Sequence, residues 1–308
     1  MTLRASACGK LILLGEHAVV YGHPAVAVPV GSLRVRAELE EGPLPLRIVS
    51  PAVGLDALLD DLPAHHPLVF CIRRALETLH ARPPTGRMTI ASEIPVASGL
   101  GSGAAVSTAV VRVLALSAGR ELSPAEVSGV VFEAERIYHG TPSGVDNTVI
   151  AYERPVFFRR GQDPVTLAVG APMQFLIADS GVRSETRGAV GGVRERRQAA
   201  PDRYDGYFRQ IGELAEKGRE YLEAGDRESL GDAMNRCHDL LRSIGVSTPG
   251  LDRLVKAARD AGALGAKLTG AGLGGNAAVL IDPEQRAAVE SALLESGAAA
   301  VHWTRLAP

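Results

Sequence analysis

Three glycine-bearing segments constrain this chain most: residues 9–22 (GKLILLGEHAVVYG), 95–105 (PVASGLGSGAA) and 267–275 (KLTGAGLGG). Each combines small residues with a group that can meet a phosphate or an alcohol. A fourth stretch, 139–147 (HGTPSGVDN), lies between the last two. Each alone is weak; together they suggest a nucleotide site assembled from distant parts of one chain, with Lys10 and Asp146 coming from different segments.

The middle segment is chemically the clearest. Residues 87–92 predict a strand, 93–98 a turn and 103–118 a helix, which puts Gly99 and Gly101 at a helix N-terminus. Unpaired backbone N–H groups and the positive end of the helix dipole can hold phosphate there. Glycine allows close approach and positive φ. Taken alone, the segment reads equally well as an ordinary glycine-rich turn before a core helix. Two familiar phosphate loops are excluded. The chain has no G-x-x-x-x-G-K-[ST]. Gly99, Gly101 and Ala104 do fit G-x-G-x-x-[GA], but no second strand ending in an acid follows, since ELSPAE opens another helix.

Composition narrows the class. With 308 residues and 46% hydrophobic content the chain can bury a substantial core, usually in two domains. A net charge of -2, with both signs interspersed, argues against a nucleic-acid partner. Only four of the 33 basic residues are lysines, and two of them, Lys10 and Lys267, fall inside glycine segments. Cys8, Cys71 and Cys237 form no close pair, so neither a disulfide framework nor a zinc knuckle is expected. The N-terminus lacks the apolar run of a signal peptide, and 103–118 is too short to span a bilayer. The expectation is a cytoplasmic protein.

Further strands are predicted at 11–14, 33–39, 174–178 and 276–281. Ser123, Pro124 and Glu126 read as N-cap, first helical position and capping-box partner of a helix running toward Tyr138. Thr248 and Pro249 open another, and 204–224 and 227–244 read as two helices broken at Gly225 and Asp226. The mixture is not a strict alternation, and a soft boundary falls at 161–170. Asp146 is placed after a tight turn of Pro142, Ser143 and Gly144. Glu135, near the end of the preceding helix, could share its pocket, one carboxylate orienting an alcohol and the other binding Mg²⁺. A solvated Glu135 and a turn-stabilising Asp146 are the alternatives.

The motifs resemble those of the GHMP kinase superfamily and, within it, the mevalonate kinases. Residues 9–22 resemble the first family motif, 95–105 the ATP-phosphate loop, 139–147 the segment with the catalytic aspartate, and 267–275 the third motif, so the likeness covers nearly the whole chain. It implies an α+β two-lobed fold, with a ribosomal-protein-like N-terminal ATP-binding lobe over 1–168, a ferredoxin-like C-terminal lobe over 169–308 and the active site in the cleft between them. It implies ATP and Mg²⁺ as cofactors, mevalonate as the small-molecule partner with no nucleic acid or membrane, and a homodimer. Lys10 matches the active-site lysine and Asp146 the catalytic aspartate. Ser92, Ala97, Ser98, Gly99, Leu100, Gly101, Ser102 and Gly103 match the nucleotide-binding strand end and loop. Glu135 matches the Mg²⁺ ligand, and Glu16, His17, Thr186, Gly270 and Ala271 line up with the substrate side. His17 as a buried structural histidine and Thr186 as a plain N-cap stay open.

The chain departs from the family in three places. Gly103 stands where members carry a second, metal-ligating serine, so Ser102, water or the triphosphate would complete the Mg²⁺ shell. Cys8 replaces a proline, and Leu273 a glycine. With no activating neighbour in sequence apart from Lys10, Cys8 is expected to be a small buried residue. A kinase for another alcohol, a silent ATP-binding sensor and a dinucleotide oxidoreductase are the rival readings.

Overall fold

The computed structural model describes residues 1–95, 98–139, 142–183 and 186–308, with the side chains of 137–139 outside the description. Two long strands open the chain, β1 (Thr2–Leu14) and β2 (Ala25–Glu41), and they pair with each other. Both are longer than their apolar cores predict. The polar start of β1 and the alternating end of β2 still join the sheet, because one face of each is exposed. The chain forms two compact units, each drawn from three stretches. One holds Met1–Gly9, Leu33–Pro95 and Gly101–Glu153, and the other Lys10–Ser32, Val96–Leu100 and Arg154–Pro308.

In the first unit follow β3 (Arg47–Ser50), β4 (Leu55–Leu58), α1 (Pro67–Leu79), β5 (Gly86–Ser92), α2 (Ser102–Ser117), α3 (Pro124–His139) and α4 (Val145–Tyr152). Its strands lie in the order β4-β3-β5-β2, and the helices pack on one another. The capping box at α3 forms as expected: Glu126 accepts from the Ser123 N–H at 2.8 Å, and the Ser123 hydroxyl accepts from the Glu126 N–H at 3.3 Å. Arg112, the charge interrupting the apolar run of α2, donates to the carbonyls of Ser6 (2.7 Å) and Ala151 (2.9 Å) and pairs with Glu153. The interruption thus links α2 to the strand and helix beside it.

The second unit continues with β6 (Val156–Phe158), β7 (Val165–Thr166), β8 (Met173–Asp179), α5 (Thr186–Ala199), α6 (Pro201–Ala224), α7 (Arg227–Ser243), α8 (Pro249–Asp260), β9 (Gly265–Thr269), β10 (Asn276–Ile281), α9 (Arg286–Glu295) and β11 (Ala300–Leu306). An antiparallel sheet runs β11-β8-β10-β9. Leu254, Val255 and Ala258 of α8 and Val289 and Leu293 of α9 bury against Leu176, Ala178, Ala277, Val279 and Ile281 of this sheet. The break between α6 and α7 falls where expected. Gly225 takes φ 74°, and the Asp226 side chain caps α7 by accepting from the Ser229 N–H at 3.0 Å. Thr248 caps α8 through the Leu251 N–H. The result is the expected α+β class. Among the described residues no helix is long and apolar enough to cross a membrane.

Candidate active site

In the first unit the described part of the nucleotide segment ends in α2. Gly101 is its N-cap at φ 76°, so Ser102 and Gly103 form the first turn, where backbone N–H groups lack helical acceptors. A Cβ built on Gly103 would come within 3.2 Å of the Glu135 Oε1 on α3. The missing side chain therefore lets a carboxylate lie against the positive end of the helix. The Glu135 carboxylate and the hydroxyl of Ser102, the residue before Gly103, are both oxygen donors of the kind that suits Mg²⁺, which takes one or two carboxylates and completes its shell with water and phosphate. Among the described residues no group of three or more His, Cys, Asp or Glu could hold a metal by itself. Ser92 is used locally: its hydroxyl donates to the Ile94 carbonyl (3.0 Å) and accepts the Ile94 N–H (3.1 Å), which shapes the turn leaving β5. Ala97 lies outside the described residues.

Asp146 sits in the first turn of α4, a helix that the turn formers before it hid from sequence reading. Gly144 enters that helix at φ 94°, and the Ser143 hydroxyl accepts the Val145 N–H at 3.3 Å. Neighbouring side chains fix the turn. Asn147 donates to the Ser128 hydroxyl (2.8 Å) and carbonyl (3.2 Å) on α3, and the Thr148 hydroxyl donates to the Gly144 carbonyl at 2.6 Å. Asp146, half-buried between these anchored positions, is carried on a backbone held in place by them, in the first turn of the helix.

In the second unit the three glycine segments meet. The buried Lys10 bonds through its backbone N–H to the Leu100 carbonyl at 3.1 Å. The Thr269 hydroxyl donates to the Ile12 carbonyl and accepts the Ile12 N–H, each at 3.1 Å, and so stitches β1 to the end of β9. Gly99, at φ 82°, lies so near this junction that a Cβ would be 3.3 Å from the Thr269 carbonyl oxygen. Gly15 is equally constrained: its Cβ would fall 2.5 Å from the Ala25 Cα. The next residues turn inward. His17, 6% exposed and at φ 59°, places Nε2 2.9 Å from the Ala271 carbonyl. A carbonyl only accepts, so Nε2 carries the proton. Burial pushes the imidazole down to about 4, and the ring is neutral at neutral pH.

Glu16 is 1% exposed and forms an ion pair with Lys267, which is 0% exposed. Lys267 also donates to the Leu268 carbonyl at 2.6 Å. Burial pushes the Glu16 carboxyl above its ordinary value, against the opposing pull of the Lys267 ammonium. In the sequence Lys267 stands out only as a scarce lysine inside a glycine segment; its partner stands 251 positions away. Because removing one member strands the other in the interior, Lys267→Met is expected to destabilise the protein by about 3–5 kcal/mol, measured by denaturant unfolding. A loss under about 1 kcal/mol would contradict a charged pair.

Thr186 is the first residue of α5 and is exposed, while the residues just before it lie outside those described. Gly270 (φ 86°) and Ala271 begin the third turn, and Gly272 packs with its Cβ position 2.2 Å from the Val246 carbonyl oxygen. Leu273 takes φ 57°, a conformation that costs a leucine about 1 kcal/mol or more, and it is exposed. Cys8 is inert as expected, since burial and the Glu153 carboxylate push its thiol up to about 12.

Comparison with known proteins shows the family and the fold. The family model of the GHMP kinases N terminal domain matches residues 68–154, and that of the GHMP kinases C terminal matches 219–299. The chain is 34% identical to a mevalonate kinase of Thermococcus sibiricus, covering 96% of this chain and 94% of that one. It is 35% identical to a mevalonate kinase of Aeropyrum pernix over 88% and 86%. Among solved structures, the L. major mevalonate kinase in complex with R-mevalonate superposes with a TM-score of 0.85 at 28% identity, covering 99% of this chain and 96% of that one.

Proposed function

We propose a reaction on one premise: the chain belongs to the GHMP kinase superfamily and, within it, to the mevalonate kinases. It is an ATP-dependent kinase with a small-molecule substrate, and the reaction is transfer of the γ-phosphoryl group of ATP to the primary hydroxyl of mevalonate, giving 5-phosphomevalonate and ADP. The observation that supports this most is the junction of Lys10, Gly99 and Thr269–Gly270, which turns three glycine segments into one main-chain surface.

Phosphoryl transfer passes through a loose transition state with charge spread over the migrating group, so positioning and electrostatics matter more than nucleophile activation. The N–H groups of Ser98, Gly99, Leu100, Gly101, Ser102 and Gly103 take the β- and γ-phosphates, and Lys10 adds a fixed positive charge. Glu135, with Ser102, would hold Mg²⁺, which when bound neutralises charge on the phosphate oxygens. Asp146 orients the alcohol. A carboxylate is far too weak a base to deprotonate an alcohol outright, so the proton moves to Asp146 late, as the P–O bond forms. Thr186 and the Gly270–Ala271 turn would face the alcohol; His17 holds that turn through the Ala271 carbonyl, and Glu16 pairs with Lys267 on the strand that leads into it.

Coupled ADP release across a small panel of alcohols tests the assignment. Mevalonate is expected to turn over at least about 100-fold faster in kcat/KM than phosphomevalonate, galactose or homoserine, a margin of about 3 kcal/mol in transition-state binding. A higher value for another alcohol would replace the substrate. ATP binding without ADP release for any of them would identify a silent sensor.

A further inference from the structure

Asn276, the first residue of β10, is held on both sides by the sheet: it pairs with Thr269 of β9 and Asp179 of β8, and it is 0% exposed. Every other residue of β10 (Ala277, Ala278, Val279, Leu280, Ile281) is apolar. The Asn276 amide reaches out of the sheet, and its Nδ2 donates to the Ser98 carbonyl at 2.6 Å. A carbonyl can only accept, so the orientation of the amide is fixed. Its Oδ1 is then buried without a hydrogen-bond partner among the described residues. An unsatisfied buried acceptor is a standing cost that an apolar residue would avoid, and such an exception points to a use for the rest of the side chain.

That use follows from peptide geometry. In a planar trans peptide the C=O of one residue and the N–H of the next point in opposite directions. Drawing the Ser98 carbonyl toward β10 turns the Gly99 N–H away from it. Gly99, at φ 82° and closed in by the Thr269 carbonyl, has little freedom to rotate back. We propose that Asn276 is a positioning residue of the nucleotide site, fixing the Ser98–Gly99 peptide with its N–H presented to phosphate. The proposal rests on the reading that this segment binds the phosphates of ATP. Asn276 itself acts only through the peptide it holds.

Asn276→Asp keeps the shape and removes the donor, and Asn276→Ala removes the whole amide. Calorimetric titration with Mg-ATP is expected to show dissociation constants raised about 5- to 10-fold in both, the effect of losing about one hydrogen bond. The KM for ATP should rise by a similar factor while the KM for mevalonate stays within about twofold. A residue that merely supported the fold would lower the thermal midpoint and the active fraction without separating the two KM values. ATP constants within about twofold of wild type in a folded variant would overturn the proposal, as would equal rises for both substrates. If neither variant folds, Asn276→Ser, which keeps a shorter donor, decides by the same comparison. A wild-type protein that binds ATP but yields no ADP with mevalonate counts against the reaction only, since the calorimetric arm still judges Asn276; one that binds no ATP sinks both.

Discussion

Asp146→Asn is expected to lower turnover by about 10³- to 10⁴-fold, the upper range for loss of a positioned proton acceptor, while ATP binding stays within about threefold. Asparagine has the same shape, so α4 keeps its Gly144 entry and the bonds of Asn147 and Thr148 that fix its first turn. The favourable meeting of a carboxylate with a helix N-terminus is worth about 0.3–1 kcal/mol, far less than the expected loss of turnover. What the variant cannot do is receive the proton released as the P–O bond forms. Steady-state turnover and nucleotide titration on one preparation separate these effects. Near-normal turnover would remove the aspartate from the mechanism.

Lys10→Met is expected to lower kcat by about 10²- to 10³-fold with a much smaller change in KM for either substrate. Lys10 is 2% exposed, and methionine fills a similar volume, so the loss is chiefly one of charge. A cation that acts on charge developing in the transition state contributes to kcat, whereas one that only holds substrate contributes to KM. A defect confined to KM would contradict the proposed role. Groups that act as one unit are not additive. The variant carrying both substitutions should therefore turn over about as slowly as Asp146→Asn alone.

Much of the scaffold could be read from local chemistry. The capping box of Ser123 and Glu126, the Thr248–Pro249 start and the Gly225–Asp226 break each appear as expected because their partners lie within a few residues. The apolar run of β10 predicts that strand over its full extent. Several elements are missed for plain physical reasons. α4 is eight residues long and follows three turn formers; β7 has two residues and β6 three, too few for any periodicity. β9 runs into a segment whose glycines point to its loop.

The candidate site was legible as a list of residues and illegible as a set of contacts. Which main-chain groups converge could be expected from the glycines. That Glu16 would face Lys267, and His17 the Ala271 carbonyl, depends on pairings about 250 positions apart, 251 and 254 respectively, which no local pattern encodes. Asn276 left no signal at all: an asparagine at a strand start reads as a turn residue, and only its bond to Ser98 reveals otherwise. The exposed Leu273, at positive φ where the family carries glycine, was visible as a departure, but nothing in the structure explains it.

The reaction itself is tested most directly by phosphorus NMR of the product formed from mevalonate, ATP and Mg²⁺. The account predicts one new phosphomonoester resonance, coupled to the methylene protons of C5 and growing in step with ADP. A phosphate on the tertiary C3 oxygen, or ADP appearing with no phosphorylated alcohol, would contradict it.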